Sequence, residues 1–152
     1  MRHRPVRSGW RFVHPDFDDA AGLPSGLALT PRRGIAMVTG DAAVRQAVLL
    51  LLSTRPGERV MRPDYGCDLT PIVFAPNDDT TAGLAMHFVR RAIERWEPRV
   101  EIVRLDAGAD PVEADGGRGE PGRLRIDLEY RVRATGHHER LALPLELTDG
   151  DR

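Results

Sequence analysis

Apolar residues recur at helical spacing in two long stretches of this chain and at every second position in its last third. Val44, Ala47, Val48, Leu51 and Leu52 follow Asp41, whose carboxylate suits a helix N-cap, and predict a helix to about Ser53. Asp68 can cap a short helix carrying Leu69, Ile72, Val73 and Phe74, with Pro71 tolerated in its first turn and Pro76 as its stop. Asn77 or Asp78 then opens a longer helix. Its apolar stripe is Leu84, Phe88, Val89, Ala92, Ile93 and Trp96, and Arg90, Arg91, Glu94 and Arg95 take its polar side. Beyond Pro98 the period falls to two. Val100, Ile102, Val103 and Leu105 suit a strand bulged where the alternation slips between Ile102 and Val103. Leu124, Ile126, Leu128, Tyr130 and Val132 make a strand with one wet face, and Leu141, Leu143, Leu145 and Leu147 repeat it after a turn at Thr135-Gly136. Pro144 marks that last strand as an edge. The pattern predicts an α+β single domain, two longer helices and a short one packed on a small antiparallel β-sheet.

Before the first helix the pattern fails. Residues 1–33 are rich in Pro, Gly, Asp and Arg, with Trp10, Phe12 and Phe17 at neither period, and read as an irregular N-terminal arm before a domain over 34–152. Leu27 and Leu29, with Ile35 and Met37 beyond the Pro31 to Gly34 turn, suit a short hairpin. Residues 107–123 read as a flexible insertion.

The stretch from Thr54 to Asp68 carries more turn chemistry and charge than a connector needs. Pro56-Gly57 ends the first helix, and Glu58, Arg59, Arg62 and Asp64 place both signs of charge close together. Taken alone, these residues read most simply as a solvated loop braced by its own ion pairs. A second stretch shifts that weighting. Glu97 lies in the last turn of the long helix, facing the negative end of the helix dipole, and calls for a cation that Arg99 or a partner's arginine would supply.

Together, Thr54-x-Pro56-Gly57-Glu58-Arg59, Arg62-Pro63-x-Tyr65-Gly66, the intervening Phe74-Ala75-Pro76-Asn77 and Trp96-Glu97-Pro98-Arg99 resemble the baseplate wedge and sheath-initiator family of contractile tails. That family serves contractile phage tails, type VI secretion machines and extracellular contractile injection particles. The resemblance covers roughly Ile35 to Leu147. It implies an architectural role: joining the wedge core bundle around the tail tube and starting polymerisation of the contractile sheath. It also implies that Glu97, Pro98 and Arg99, with Glu58, Arg59, Arg62 and Tyr65 of the loop, meet partner chains. The implied partners are other baseplate wedge proteins, tail tube and sheath subunits, with several copies in a ring. Residues 1–33 and 107–123 depart from the family pattern and inherit no role from it.

Composition narrows the alternatives. The chain has 152 residues, a net charge of -1 and a pI near 6.5, which argues against non-specific binding to nucleic acid or an anionic membrane. All 22 cations are Arg, so a phosphate-binding lysine and a Schiff base are both excluded. Cys67 is the single cysteine, which rules out an intrachain disulfide and suits a reducing cytosol. The longest apolar run, Ala47 to Leu52, falls far short of the ~20 residues of a membrane span, and no signal-peptide core follows the basic start. The chain reads as cytoplasmic until assembled into a particle.

Candidate chemistry is thin. Gly117 to Gly122 spells G-x-G-x-x-G, but a polar insertion precedes it and a strand follows, the wrong context for a phosphate cradle. His3, His14, His87, His137 and His138 have no zinc-site spacing with Cys67, and Ser8, Ser25 and Ser53 lie in no nucleophile elbow. The expectation is a non-enzyme without cofactor or metal. Two alternatives stand beside it. A cell-wall glycosidase would show two carboxyl groups about 5–10 Å apart across a sugar-sized cleft. A free-standing protein-binding module would be a stable monomer without a large apolar patch.

Overall fold

The element order is β1 (Ser8–Trp10), β2 (Phe12–Val13), β3 (Gly26–Leu27), β4 (Met37–Thr39), α1 (Gly40–Ser53), α2 (Thr70–Val73), α3 (Asp79–Trp96), β5 (Val100–Ala109), β6 (Arg123–Val132) and β7 (His138–Glu146). This is the α+β class that the pattern predicts. The computed structural model describes residues 8–14, 25–109 and 122–147, and the chain forms two compact units, Met1–Leu50 and Leu51–Arg152.

In the first unit, parts of the stretch read as irregular are strands. β1 pairs with β4 and β2 with β3, both antiparallel, and Leu29 bridges Ile35 across the turn where the hairpin is expected. Strands of two or three residues are too short to show a period, which is why the pattern misses β1 and β2. Gln46 of α1 stabilises them: its Oε1 accepts from Phe12 N–H and its Nε2 donates to the Trp10 carbonyl, each at 2.8 Å. The helix begins at Gly40, so Asp41 sits in its first turn, near the positive end of the dipole. Phe17 lies outside the described residues.

The second unit is built on the sheet β5-β6-β7. Leu124, Ile126, Leu128, Tyr130 and Val132 are all buried, and Leu141, Leu143 and Leu147 join them. The bulge falls where the alternation slips: Val103 is the extra residue, and it lets Leu105 face Leu128 and Ala107 face Ile126. β5 runs on to Ala109 and β6 begins at Arg123, so both ends of the expected 107–123 insertion are strand, and residues 110–121 lie outside the described residues.

α3 packs across β5 and β6. Asp78 is its N-cap, accepting from Thr81 N–H at 2.8 Å. Its buried face is Thr81, Ala82, Ala85, Val89, Ala92 and Ile93, while Leu84 is 43% exposed. The predicted stripe is therefore rotated. Small side chains let the helix sit close to the sheet, and the larger Leu84 and Phe88 are left at the margin. α2 starts one residue later than expected, with Leu69 at its N-cap, and Asp68 accepts from Thr70 N–H at 3.2 Å. Phe74 is 70% exposed.

Candidate functional site

Three consecutive turns shape the loop from Thr54 to Asp68. Glu58 N–H donates to the Arg55 carbonyl, Arg62 N–H to Arg59 and Tyr65 N–H to Arg62. Gly57 N–H crosses the loop to Pro63 at 2.7 Å, and Cys67 N–H closes its base on Thr54 at 2.9 Å. Gly66 makes that closure feasible: its φ is +133°, and a Cβ there would run into the Thr54 carbonyl. The Glu58 carboxylate accepts from Arg55 N–H at 2.9 Å, so Glu58 braces the loop from within.

Tyr65 ties this loop to the end of α3. Its ring lies against Trp96 with centroids 5.4 Å apart, and the Arg59 guanidinium lies over the Tyr65 ring, 4.3 Å from its centroid. Arg95 lies over Trp96 and reaches Asp64 at 4.0 Å. Burial pushes the Tyr65 hydroxyl above its ordinary value. The Glu97 carboxylate adds to that effect, and Arg59, Arg62 and Arg99 oppose it.

Directly after α3, the chain turns through Glu97, Pro98 and Arg99 into β5. Arg99 Nε and Nη2 donate to Glu97 Oε1 and Oε2 at 2.5 and 2.6 Å, a bidentate pair. The cation that Glu97 calls for is thus supplied by the chain itself. Glu97 is 5% exposed, Arg99 is half-buried and Pro98 is exposed. The Glu97 hydrogen bond holds the Arg99 guanidinium above its ordinary value against the cost of burial. Glu97 N–H also closes α3 on Ile93, and Arg133 N–H reaches the Arg99 carbonyl.

The structure therefore gathers Arg59, Arg62, Tyr65, Glu97 and Arg99 into one neighbourhood and leaves Glu58 as an internal brace. The sequence names Trp96, Arg95 and Asp64 as core stripe, polar helix side and loop charge, but not as members of this neighbourhood. Trp96 reads as core because it falls on the helical stripe, yet it is only half-buried and carries Tyr65. Its place at the head of Trp96-Glu97-Pro98-Arg99 is the signal that sets it beside the turn. Among the described residues, no group of three His, Cys, Asp or Glu side chains could hold a metal ion.

The sheet edges form the second feature. Val132 N–H donates to His137 and Leu147 N–H to Gly122, which fixes the even-numbered residues of β6 as those bonded to β7. His138, Arg140, Ala142, Pro144 and Glu146 therefore turn their backbone groups away from β6. Among the described residues no strand pairs with that side of β7; the missing N–H of Pro144 lies on it, and the uninterrupted run is His138 to Ala142. On β5 the open side is interrupted by the bulge at Val103 and by Asp106, which accepts from Ala107 N–H at 3.0 Å.

Residues 38–137 match the sequence model of the family described as baseplate wedge protein gp25. The baseplate wedge protein gp25 of Enterobacteria phage T4 is 26% identical over 83 residues, 55% of this chain and 61% of that protein. Baseplate protein W of Escherichia phage P2 is 28% identical over 123 residues, 81% of this chain and 86% of that one. A crystal structure from Geobacter sulfurreducens, provisionally described as a tail lysozyme, is 39% identical with a TM-score of 0.62, covering 76% of this chain and 100% of that one. With the family match extending over most of the chain, and with both motif stretches lying inside it, this protein belongs to the baseplate wedge protein gp25 family.

Proposed function

We propose that the chain is a non-catalytic component of a contractile baseplate, which joins neighbouring wedge proteins through the Tyr65 loop and the Glu97–Arg99 turn and offers its sheet as a starting point for sheath. The observation that carries this reading is the tilted contact of Tyr65 with Trp96, which brings two separate charged stretches of the chain together. Pro98 is exposed, and Arg99 retains part of its guanidinium for a partner. The open run on β7 supports the sheath role, because strand addition takes its affinity from free backbone groups.

Arg99→Ala tests the reading. It strands the buried Glu97 carboxylate and is expected to destabilise the chain by about 2 kcal/mol, lowering the thermal midpoint by about 4–8 °C. At a temperature where the variant stays folded by circular dichroism, it should still fail to enter baseplates reconstituted with the other wedge proteins. Normal entry would reduce Glu97 and Arg99 to an internal brace and sink the interface.

The Geobacter description favours a second reading, cell-wall hydrolysis. A general acid needs a carboxyl group held above its usual range. Among the described residues, Asp78 and Glu101 are both held below it, Asp78 by the Thr81 backbone hydrogen bond and Glu101 by its bond from Arg131. Clearing of a peptidoglycan suspension by the purified chain, abolished by a folded double carboxylate variant, would overturn the non-catalytic reading.

A further inference from the structure

Val60 and Met61 are the two central residues of the turn closed by Arg62 N–H on the Arg59 carbonyl at 3.0 Å. They are 94% and 91% exposed, the most exposed of the large apolar side chains among the described residues. Scattered exposed apolar residues are ordinary, but two side by side at the apex of a cross-bonded loop are not. The backbone ties already described, with Tyr65 packed on Trp96, fix where the apex points. Its flanks are cationic: Arg55, Arg59 and Arg62 are all exposed, and none of their guanidinium groups meets a carboxylate among the described residues. Arg59 instead lies over Tyr65.

Resting on the wedge reading above, we infer that Val60 and Met61 are a plug that enters an apolar socket, edged by carboxylates, on a neighbouring wedge protein. Met adapts its shape to an irregular socket, and Arg suits bidentate pairing with the carboxylates at its rim. A second copy of this chain fits less well. A two-fold contact through the tip would set Arg59 and Arg62 of one copy against those of the other. An anionic membrane fits less well too, since the tip is two residues wide and adjoins the wedge surface rather than an amphipathic face.

The test compares the full chain with a Val60→Asp, Met61→Asp double variant and an Arg59→Glu, Arg62→Glu double variant. Each is titrated against the other purified wedge proteins of the same particle at low and high salt. Because Val60 and Met61 are solvent-exposed, the first variant should keep the thermal midpoint of the parent. It is expected to bind at least about tenfold more weakly. The charge-reversed variant should bind more weakly at low salt and lose less of its affinity as salt is raised. If the parent binds and the aspartate variant binds equally well, the plug is wrong while the wedge reading stands. If the parent itself does not bind, the wedge reading fails first. Dimerisation of the parent abolished in the aspartate variant would assign the tip to a second copy. Co-sedimentation with phosphatidylglycerol vesicles, lost in that variant, would assign it to a membrane. Either result overturns the inference.

Discussion

Asp78 shows how far a single residue can be read. Its side chain accepts from Thr81 N–H, and that bond, with the one from the Thr81 side chain, holds its carboxyl below the usual range. A lowered folded-state pKa means that the stabilisation is complete above the unfolded value and disappears as pH falls through the folded one. Asp78→Ala should therefore lower the thermal midpoint at pH 7 by about 2–4 °C. The gap between variant and parent should close as the pH drops below about 4, which calorimetry across that range would check. Asp41 and Asp68 suit a cap equally well by residue type, yet Asp41 falls inside the first turn of α1, two residues past the cap position, and Asp68 stands one residue before the cap of α2. A cap is decided by backbone angles at the helix start, which a residue type favours without fixing. The Glu97–Arg99 pair was legible as an electrostatic need, because a carboxylate at a helix C-terminus demands a cation. Whether the cation came from the chain or from a partner depends on the turn at Pro98, and the structure answers with Arg99.

At the scale of elements, periodicity located all three long strands and both long helices. The bulge was visible because two apolar neighbours, Ile102 and Val103, cannot both face the core of a regular strand. The packed face of α3 was not. Leu84 drew the stripe toward itself because it is large, while contact with the sheet selects the small Ala82, Ala85 and Ala92. The pairing of β6 with β7 leads to a prediction about the open edge. Ala142 turns its N–H outward, so Ala142→Pro should leave the ladder intact and the chain folded, yet stop sheath growth from assembled baseplates. Leu143→Pro removes a bond to β6 and should unfold the sheet outright. Circular dichroism separates the two, and sheath of normal length growing on the Ala142 variant would exclude this edge as the starting point.

For the molecule as a whole, Cys67 reports on the Leu51–Arg152 unit. It is 2% exposed, and burial followed by the Asp68 charge pushes its thiol up to about 12, far from the thiolate needed for reaction. Labelling by a disulfide reagent at pH 8 should be slow in the native state and should accelerate with denaturant in step with loss of the β-sheet signal. Fast labelling in buffer would mean that the base of the Thr54 loop opens on its own. On the proposed sheath role, the interruptions limit how much strand each copy can capture. A strand added along His138 to Ala142 is five residues long, too short to hold firmly by itself. One isolated copy would catch and release such a strand many times over. Several copies held in a ring would bind the same strands by avidity, since each capture raises the local concentration for the next. Recruitment of sheath would then switch on with the completed ring, and stray copies in solution would start nothing.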